Sequence, residues 1–222
     1  LITLEALIAN EVHQSSLIAD KLFLYTCPEP EFASLQAFTK SVDWTEVRHR
    51  SDRSNAGRSY IPKSKSLQHE KSLVGLHDWV RSCMNDAKTK IGWRDQTIPE
   101  LALTQSWLNR SDIGEEHHRH VHQLSILSGI IYITEPAETE FTAPSIYSLP
   151  SIIAPDKKTQ FKSNTTKFKA KKKMLVIFPS SLKHGVGPNL EPFARYTFSV
   201  NTWIKGDHGV SEELAFIPEQ LD

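Results

Sequence analysis

Apolar residues recur along this chain in two different periods, and the change from one to the other falls near residue 100. Before it, Lys21–Thr26 reads as a short strand stopped by Cys27-Pro28-Glu29-Pro30. Glu31–Val42 then carries Phe32, Leu35, Phe38 and Val42 at helical spacing. From Ser66 to Ile91 the apolar positions Leu73, Leu76, Val80, Cys83, Met84, Ala87 and Ile91 repeat with a helical period and predict the strongest helix of the chain. Between them Arg48–Lys65 is polar and reads as a loop. From Leu101 onward the pattern becomes short runs bounded by turn residues: Leu101–Leu108, Leu124–Thr134, Thr139–Thr142, Thr159–Phe168, Met174–Pro179 and Phe193–Ile204. In the last of these Arg195, Thr197, Ser199 and Asn201 alternate with Tyr196, Phe198, Val200 and Thr202, as in a strand with one face on a polar cavity. Helices first and strands later predict a mainly β, α+β fold: a jelly roll buttressed by N-terminal helices.

Bulk properties narrow the function classes. A length of 222 residues suits a single domain, with a mixed helical part over 1–100, a β core over 101–205 and a tail over 206–222. The net charge is zero, so no global field recruits nucleic acid or membrane. No apolar run approaches the roughly 18 residues of a membrane span, and no signal peptide is visible. The two cysteines, Cys27 and Cys83, fit no zinc spacing, which together predicts a reducing, cytoplasmic setting.

Candidate chemistry concentrates after residue 115. Glu115-Glu116-His117-His118-Arg119-His120-Val121-His122 packs four of the ten histidines into one short stretch. Histidines at i and i+2 of a strand project to one side, so His120 and His122 can reach one ion. His184, after the strand Met174–Pro179, offers a third imidazole from a separate segment, and Gly185-Val186-Gly187-Pro188 lets the chain turn beside it. Three ligands on one face with open positions opposite is the logic of non-haem ferrous sites. The usual carboxylate is missing from the i+2 position. Glu140 is the best nearby acid, with an exposed side chain as its plainer reading, and His117 and His118 are read as solvated. Arg195 and Thr197 share one strand face, where a guanidinium fork and a hydroxyl can hold a carboxylate, and Tyr132 can add a phenol.

Four segments in register carry a family resemblance: His120-Val-His122, Ser125-Ile-Leu-Ser-Gly-Ile-Ile-Tyr132, Phe178-Pro-Ser-Ser-Leu-Lys-His184 and Arg195-Tyr-Thr-Phe-Ser-Val-Asn201. Over about residues 101–205 they resemble the 2-oxoglutarate and Fe(II)-dependent oxygenases, in a poorly characterised branch of bacteria and their phages. Ser106-Trp107-Leu108-Asn109 and Gly114 fit the same pattern. The resemblance implies a double-stranded β-helix (cupin-like) with Fe(II) held by His120, His122 and His184. It places Arg195, Thr197, Tyr132 and Asn201 at the 2-oxoglutarate co-substrate. It also implies a dioxygenase that converts 2-oxoglutarate and oxygen to succinate and CO2 while hydroxylating a substrate. Two departures stand out: His122 occupies the place of the general motif's Asp, and Ala143-Pro144-Ser145 stands where this branch carries Asp-Pro-Arg. A three-histidine oxygenase without 2-oxoglutarate, and a non-catalytic jelly-roll module of a phage particle, are the rival readings.

The partner is then a substrate of peptide, nucleic-acid or small-molecule class, with no membrane and with a homodimer left open. A phage-encoded protein would work in the host cytoplasm. Lys157–Lys173 holds eight lysines and reads as a solvated hairpin, with recruitment of a phosphate-bearing macromolecule as the alternative. That segment and the Arg48–Lys65 loop are the candidate substrate-facing lids.

Overall fold

The computed structural model describes residues 22–44, 49–50, 55–60, 66–95, 97–142, 165–210 and 215–217. They form three layers. Two helices, α1 (Glu29–Ser41) and α2 (Val74–Ile91), cover one face of a large sheet, and a smaller sheet covers part of the other. In chain order the strands are β1 (Phe23–Thr26), β2 (His49–Arg50), β3 (Arg58–Tyr60), β4 (Glu100–Ser111), β5 (His117–His120), β6 (Leu127–Tyr132), β7 (Ala137–Thr142), β8 (Thr165–Ala170), β9 (Met174–Pro179), β10 (Lys183–Val186), β11 (Arg195–Lys205), β12 (His208–Val210) and β13 (Ala215–Ile217). The seven-stranded sheet runs β1-β9-β6-β11-β4-β3-β2 and the four-stranded one β5-β10-β7-β8, each with antiparallel neighbours. This is the expected jelly roll with helical buttress.

Burial on both faces explains why β6 and β9 are apolar runs rather than alternating strands. Leu127, Ile131, Leu175, Ile177, Phe198 and Val200 meet the helices through Leu76, Val80 and Met84. Ile130, Tyr132, Val176 and Phe178 point the other way, toward Phe141 and Ala170 of the small sheet. Gly129 allows the helix layer to seat closely, because a Cβ there would lie 2.8 Å from the Met84 Cε.

Several boundaries differ from the expectation. The helix expected from Ser66 begins at Val74, because two 3-10 turns occupy Leu67–His69 and Lys71–Leu73. The Ser66 Oγ accepts from the Gln68 N–H and the Glu70 carboxylate from the Ser72 N–H, so local caps win over helix propagation. The polar stretch expected as a loop over Arg48–Lys65 supplies β2 and β3 to the edge of the large sheet; the remainder of it lies outside the described residues, except Asn55–Gly57. The lysine-rich segment is described only in its second part. Its first part, 157–164, lies outside the described residues, as do Ala143–Ser145. The rest forms β8 in the small sheet and a turn that passes to β9 in the large one. That turn is anchored: the Lys173 N–H donates to the Tyr132 carbonyl at 2.9 Å, and Lys173 pairs with Glu29.

Candidate metal centre and anion pocket

Strand pairing sets three cross-strand rows on the cavity face of the large sheet. Ser59, Asn109, Thr197 and Tyr132 form one row, Trp107, Ser199 and Ile130 the next, and Gln105, Asn201 and Ser128 the third. With residues of β5, β7 and β10 they line a cavity of about 360 Å³. His120, His122, His184, Tyr132, Arg195, Thr197 and Asn201 all border it.

His120, His122 and His184 each offer a ring nitrogen, and these atoms lie within 4.8 Å of one another. Their positions come from three different devices. His120 ends β5, and β10 pairs with it so that His184 stands opposite His120. His122 is not on a strand, as its spacing suggested: the chain leaves β5 after His120, and the His122 N–H is held by the Ser180 carbonyl at 3.0 Å. His184 lies in β10 rather than beside a turn. Gly185 serves close packing, since a Cβ there would meet the Arg119 backbone N at 2.9 Å.

The protonation of all three rings follows from their partners. The Nδ1–H of His120 donates to the His118 carbonyl at 2.8 Å, that of His184 to the Leu182 carbonyl at 3.0 Å, and that of His122 to the Asn201 Oδ1 at 2.5 Å. An imidazole that donates from Nδ1 and stays neutral carries a lone pair on Nε2. Burial lowers the pKa of His120 and His122 and pushes His184 down to about 3, so neutral rings prevail near pH 7. The Nε2 atoms of His120 and His122 stand 3.0 Å apart. Two lone pairs facing at that distance repel, and two ligands with bonds of roughly 2.1 Å at right angles about one ion have that spacing. The donor set fits a divalent metal.

Acids take no part among the described residues. Glu140 is paired with Arg119 at 2.5 Å and with Lys167 at 3.5 Å, and its pKa is held low by Arg119. Glu115 accepts from the Asp112 N–H. The candidate carboxylate therefore belongs to a surface ion-pair ladder, because residue 140 sits on the outward side of β7.

At the other end, Arg195 is 8% exposed and its guanidinium donates only to the Gly187 carbonyl, at 3.0 Å, with no acid paired to it among the described residues. Desolvation lowers its pKa. Tyr132 is buried, its hydroxyl 2.7 Å from that of Thr139, and burial raises its pKa. A buried cation with no acid paired to it among the described residues suits an anion.

Sequence reasoning missed the polar network behind these groups. The Asn201 Oδ1 is engaged by His122 and by the Ser128 hydroxyl at 2.9 Å, so it supports a ring rather than facing the anion end. Ser128 continues to Ser180 and Ser125 through contacts of 2.7 Å each. Asn109 and Trp107 lie close by, the Trp107 ring centroid 5.4 Å from that of His122. Their signal was an alternation of polar and apolar residues in β4.

A protein-family model described as "Putative 2OG-Fe(II) oxygenase" matches residues 105–201, the span that contains every one of these residues. That part of the chain is similar to the 2-oxoglutarate and Fe(II)-dependent oxygenases. No curated protein sequence matches it significantly. Similar solved folds include the non-haem α-ketoglutarate-dependent epimerase SnoN of nogalamycin biosynthesis, at 10% identity and a TM-score of 0.60 over 86% of this chain and 82% of that one. HygX from Streptomyces hygroscopicus, bound to nickel, 2-oxoglutarate and hygromycin B, has 10% identity and a TM-score of 0.54 over 86% and 88%. A prolyl hydroxylase from Trichoplax adhaerens, in complex with a hypoxia-inducible-factor peptide fragment, has 10% identity and a TM-score of 0.53 over 82% and 83%. No helix among the described residues is long and apolar enough to cross a membrane.

Proposed function

We propose that this protein is a 2-oxoglutarate and Fe(II)-dependent hydroxylase in which His120, His122 and His184 hold Fe(II), and Arg195 holds the distal carboxylate of 2-oxoglutarate. When bound, the metal and co-substrate supply the oxidising power, with one oxygen atom of O2 entering the substrate and the other the succinate formed as CO2 leaves. The observation that carries the reading is the convergence of three Nε2 lone pairs, each fixed by an acceptor on Nδ1. Three neutral ligands leave the full charge of a divalent ion in place, which favours a dianionic co-substrate over a neutral one.

Arg195 supplies the second half of the argument. A metal held only for stability, or an oxygenase without an acidic co-substrate, has no use for a buried guanidinium with no acid beside it among the described residues. Thr197 borders the same end of the cavity and Tyr132 lies across the strand pair from it. The remaining lining is suited to a peptide side chain or a small molecule. It carries Gln105, Trp107, Gln123 and His118, and Arg195 is its one fixed cation among the described residues. Among the described residues that lining offers no lysine or second arginine to hold the phosphates of a nucleic-acid backbone.

An anaerobic titration with Fe(II) and 2-oxoglutarate tests the reading. A visible charge-transfer band is expected only when both are present. Tight iron binding with no such band, and no succinate formed in air, would point to the three-histidine chemistry without 2-oxoglutarate.

A further inference from the structure

Asn109 uses its whole hydrogen-bonding capacity at the floor of the cavity. Its Oδ1 accepts from the Ser59 hydroxyl at 2.7 Å and from the Trp107 indole N–H at 3.2 Å. Its Nδ2 donates to the Thr197 Oγ1 at 3.3 Å and to the Ser199 Oγ at 3.0 Å. The indole nitrogen can only donate, so the carbonyl oxygen of the amide must face Trp107. The amide nitrogen is thereby forced toward β11. Thr197 and Ser199 must accept, and among the described residues neither hydroxyl donates to any other group. Both protons are left to the cavity, on the strand face that also carries Arg195.

We propose that Asn109 is a positioning residue for co-substrate binding: oriented by Trp107, it fixes the polarity of Thr197 so that this hydroxyl donates to the carboxylate held by Arg195. The inference rests on the co-substrate reading above and adds a residue and a direction to it. An acceptor at position 109 would reverse the chain. The Thr197 proton would turn to residue 109, and a lone pair would face the carboxylate instead. Losing one hydrogen bond to a charged group corresponds to about ten- to hundredfold in affinity.

The test is calorimetric binding to the full-length Mn(II)-loaded protein, which needs no turnover. The wild type is titrated with 2-oxoglutarate and with pyruvate, which keeps the 2-oxo acid end and lacks the distal carboxylate. Asn109→Asp is expected to weaken 2-oxoglutarate about ten- to hundredfold and to leave pyruvate within about threefold. Thr197→Val is expected to weaken 2-oxoglutarate similarly, and to add little in the Asn109→Asp background. Should Asn109→Asp fail to fold, Trp107→Phe, which releases the amide to flip, carries the same selective loss at smaller size. Equal weakening of both acids, or full additivity with Thr197→Val, overturns the polarity assignment. A wild type that binds pyruvate and 2-oxoglutarate alike, or neither, overturns the co-substrate reading itself and the inference with it.

Discussion

The two ends of the cavity are built on opposite principles. The metal end draws its imidazoles from the last residue of β5, the turn that follows and the short strand β10, so its geometry depends on how the small sheet meets the loop over Ser180. The anion end stands on β11, paired over its whole length with β4 and along Thr197–Asn201 with β6. Each metal-end ring is neutral and tied through Nδ1, whereas the anion end is a buried positive charge with no acid beside it among the described residues. One end presents lone pairs and the other a guanidinium. The difference teaches that the protein supplies two half-sites of opposite electrostatic demand and organises the hydrogen bonds around each.

Removing groups from one end at a time can break that comparison. His184→Ala should have the largest effect, lowering iron affinity by more than the roughly 10–100-fold that loss of an outer partner costs and taking succinate formation to background. Iron binding by equilibrium dialysis checks it, and an unchanged affinity would remove His184 from the ligand set. Arg195→Ala should weaken 2-oxoglutarate by about 2–5 kcal/mol, roughly thirty- to several-thousandfold, with iron affinity in its absence unchanged. If iron affinity fell in parallel, the two ends would not be separable.

Acid should act on the scaffold beneath the anion end. His77 is 2% exposed, lies 3.2 Å from the Ser106 hydroxyl of β4, and packs against Phe198 of β11. Burial pushes its pKa down to about 4 from 6.5. Between those values the unfolded chain binds the extra proton, so stability present above pH 6.5 is lost as pH falls toward 4. The loss is at most about 3 kcal/mol. Denaturant unfolding at pH 7 and pH 4.5, in wild type and His77→Gln, measures it; equal pH dependence in the two proteins counts against the assignment. The smallest effect belongs to Gly185→Ala, where the added Cβ meets the Arg119 backbone. A cost of about 1–3 kcal/mol is expected, with iron affinity falling and the circular dichroism spectrum otherwise native. Unaltered melting temperature and iron affinity would show that β5 and β10 part without consequence.

Much of this site is legible in the residues themselves. The His120–His122 spacing, the isolated His184 and the polar alternation of Arg195, Thr197, Ser199 and Asn201 each mark residues that border the cavity. Polar residues that alternate with apolar ones along a strand flanked by buried neighbours need a polar space to face. What stays hidden depends on pairing register. Asn109 reads as one polar residue among several in β4, and only its place opposite Thr197 gives it a role. Ser128 and Ser180 are far apart in sequence, and their contact behind Asn201 exists only because β6 pairs with β9. β10 escapes a reading by periodicity because Lys183-His184-Gly185-Val186 has no apolar signature of its own.

Local chemistry and periodicity by themselves determined the strand-rich core, its helical buttress, and the side chains able to bind a metal and an acid. Tertiary structure decided which nitrogen of each imidazole is free, that no carboxylate among the described residues joins the metal end, and that Asn201 serves His122. The reason is physical: residue type sets what a group can bind, but a proton's position is set by the partner opposite, and that partner arrives from a strand distant in the chain.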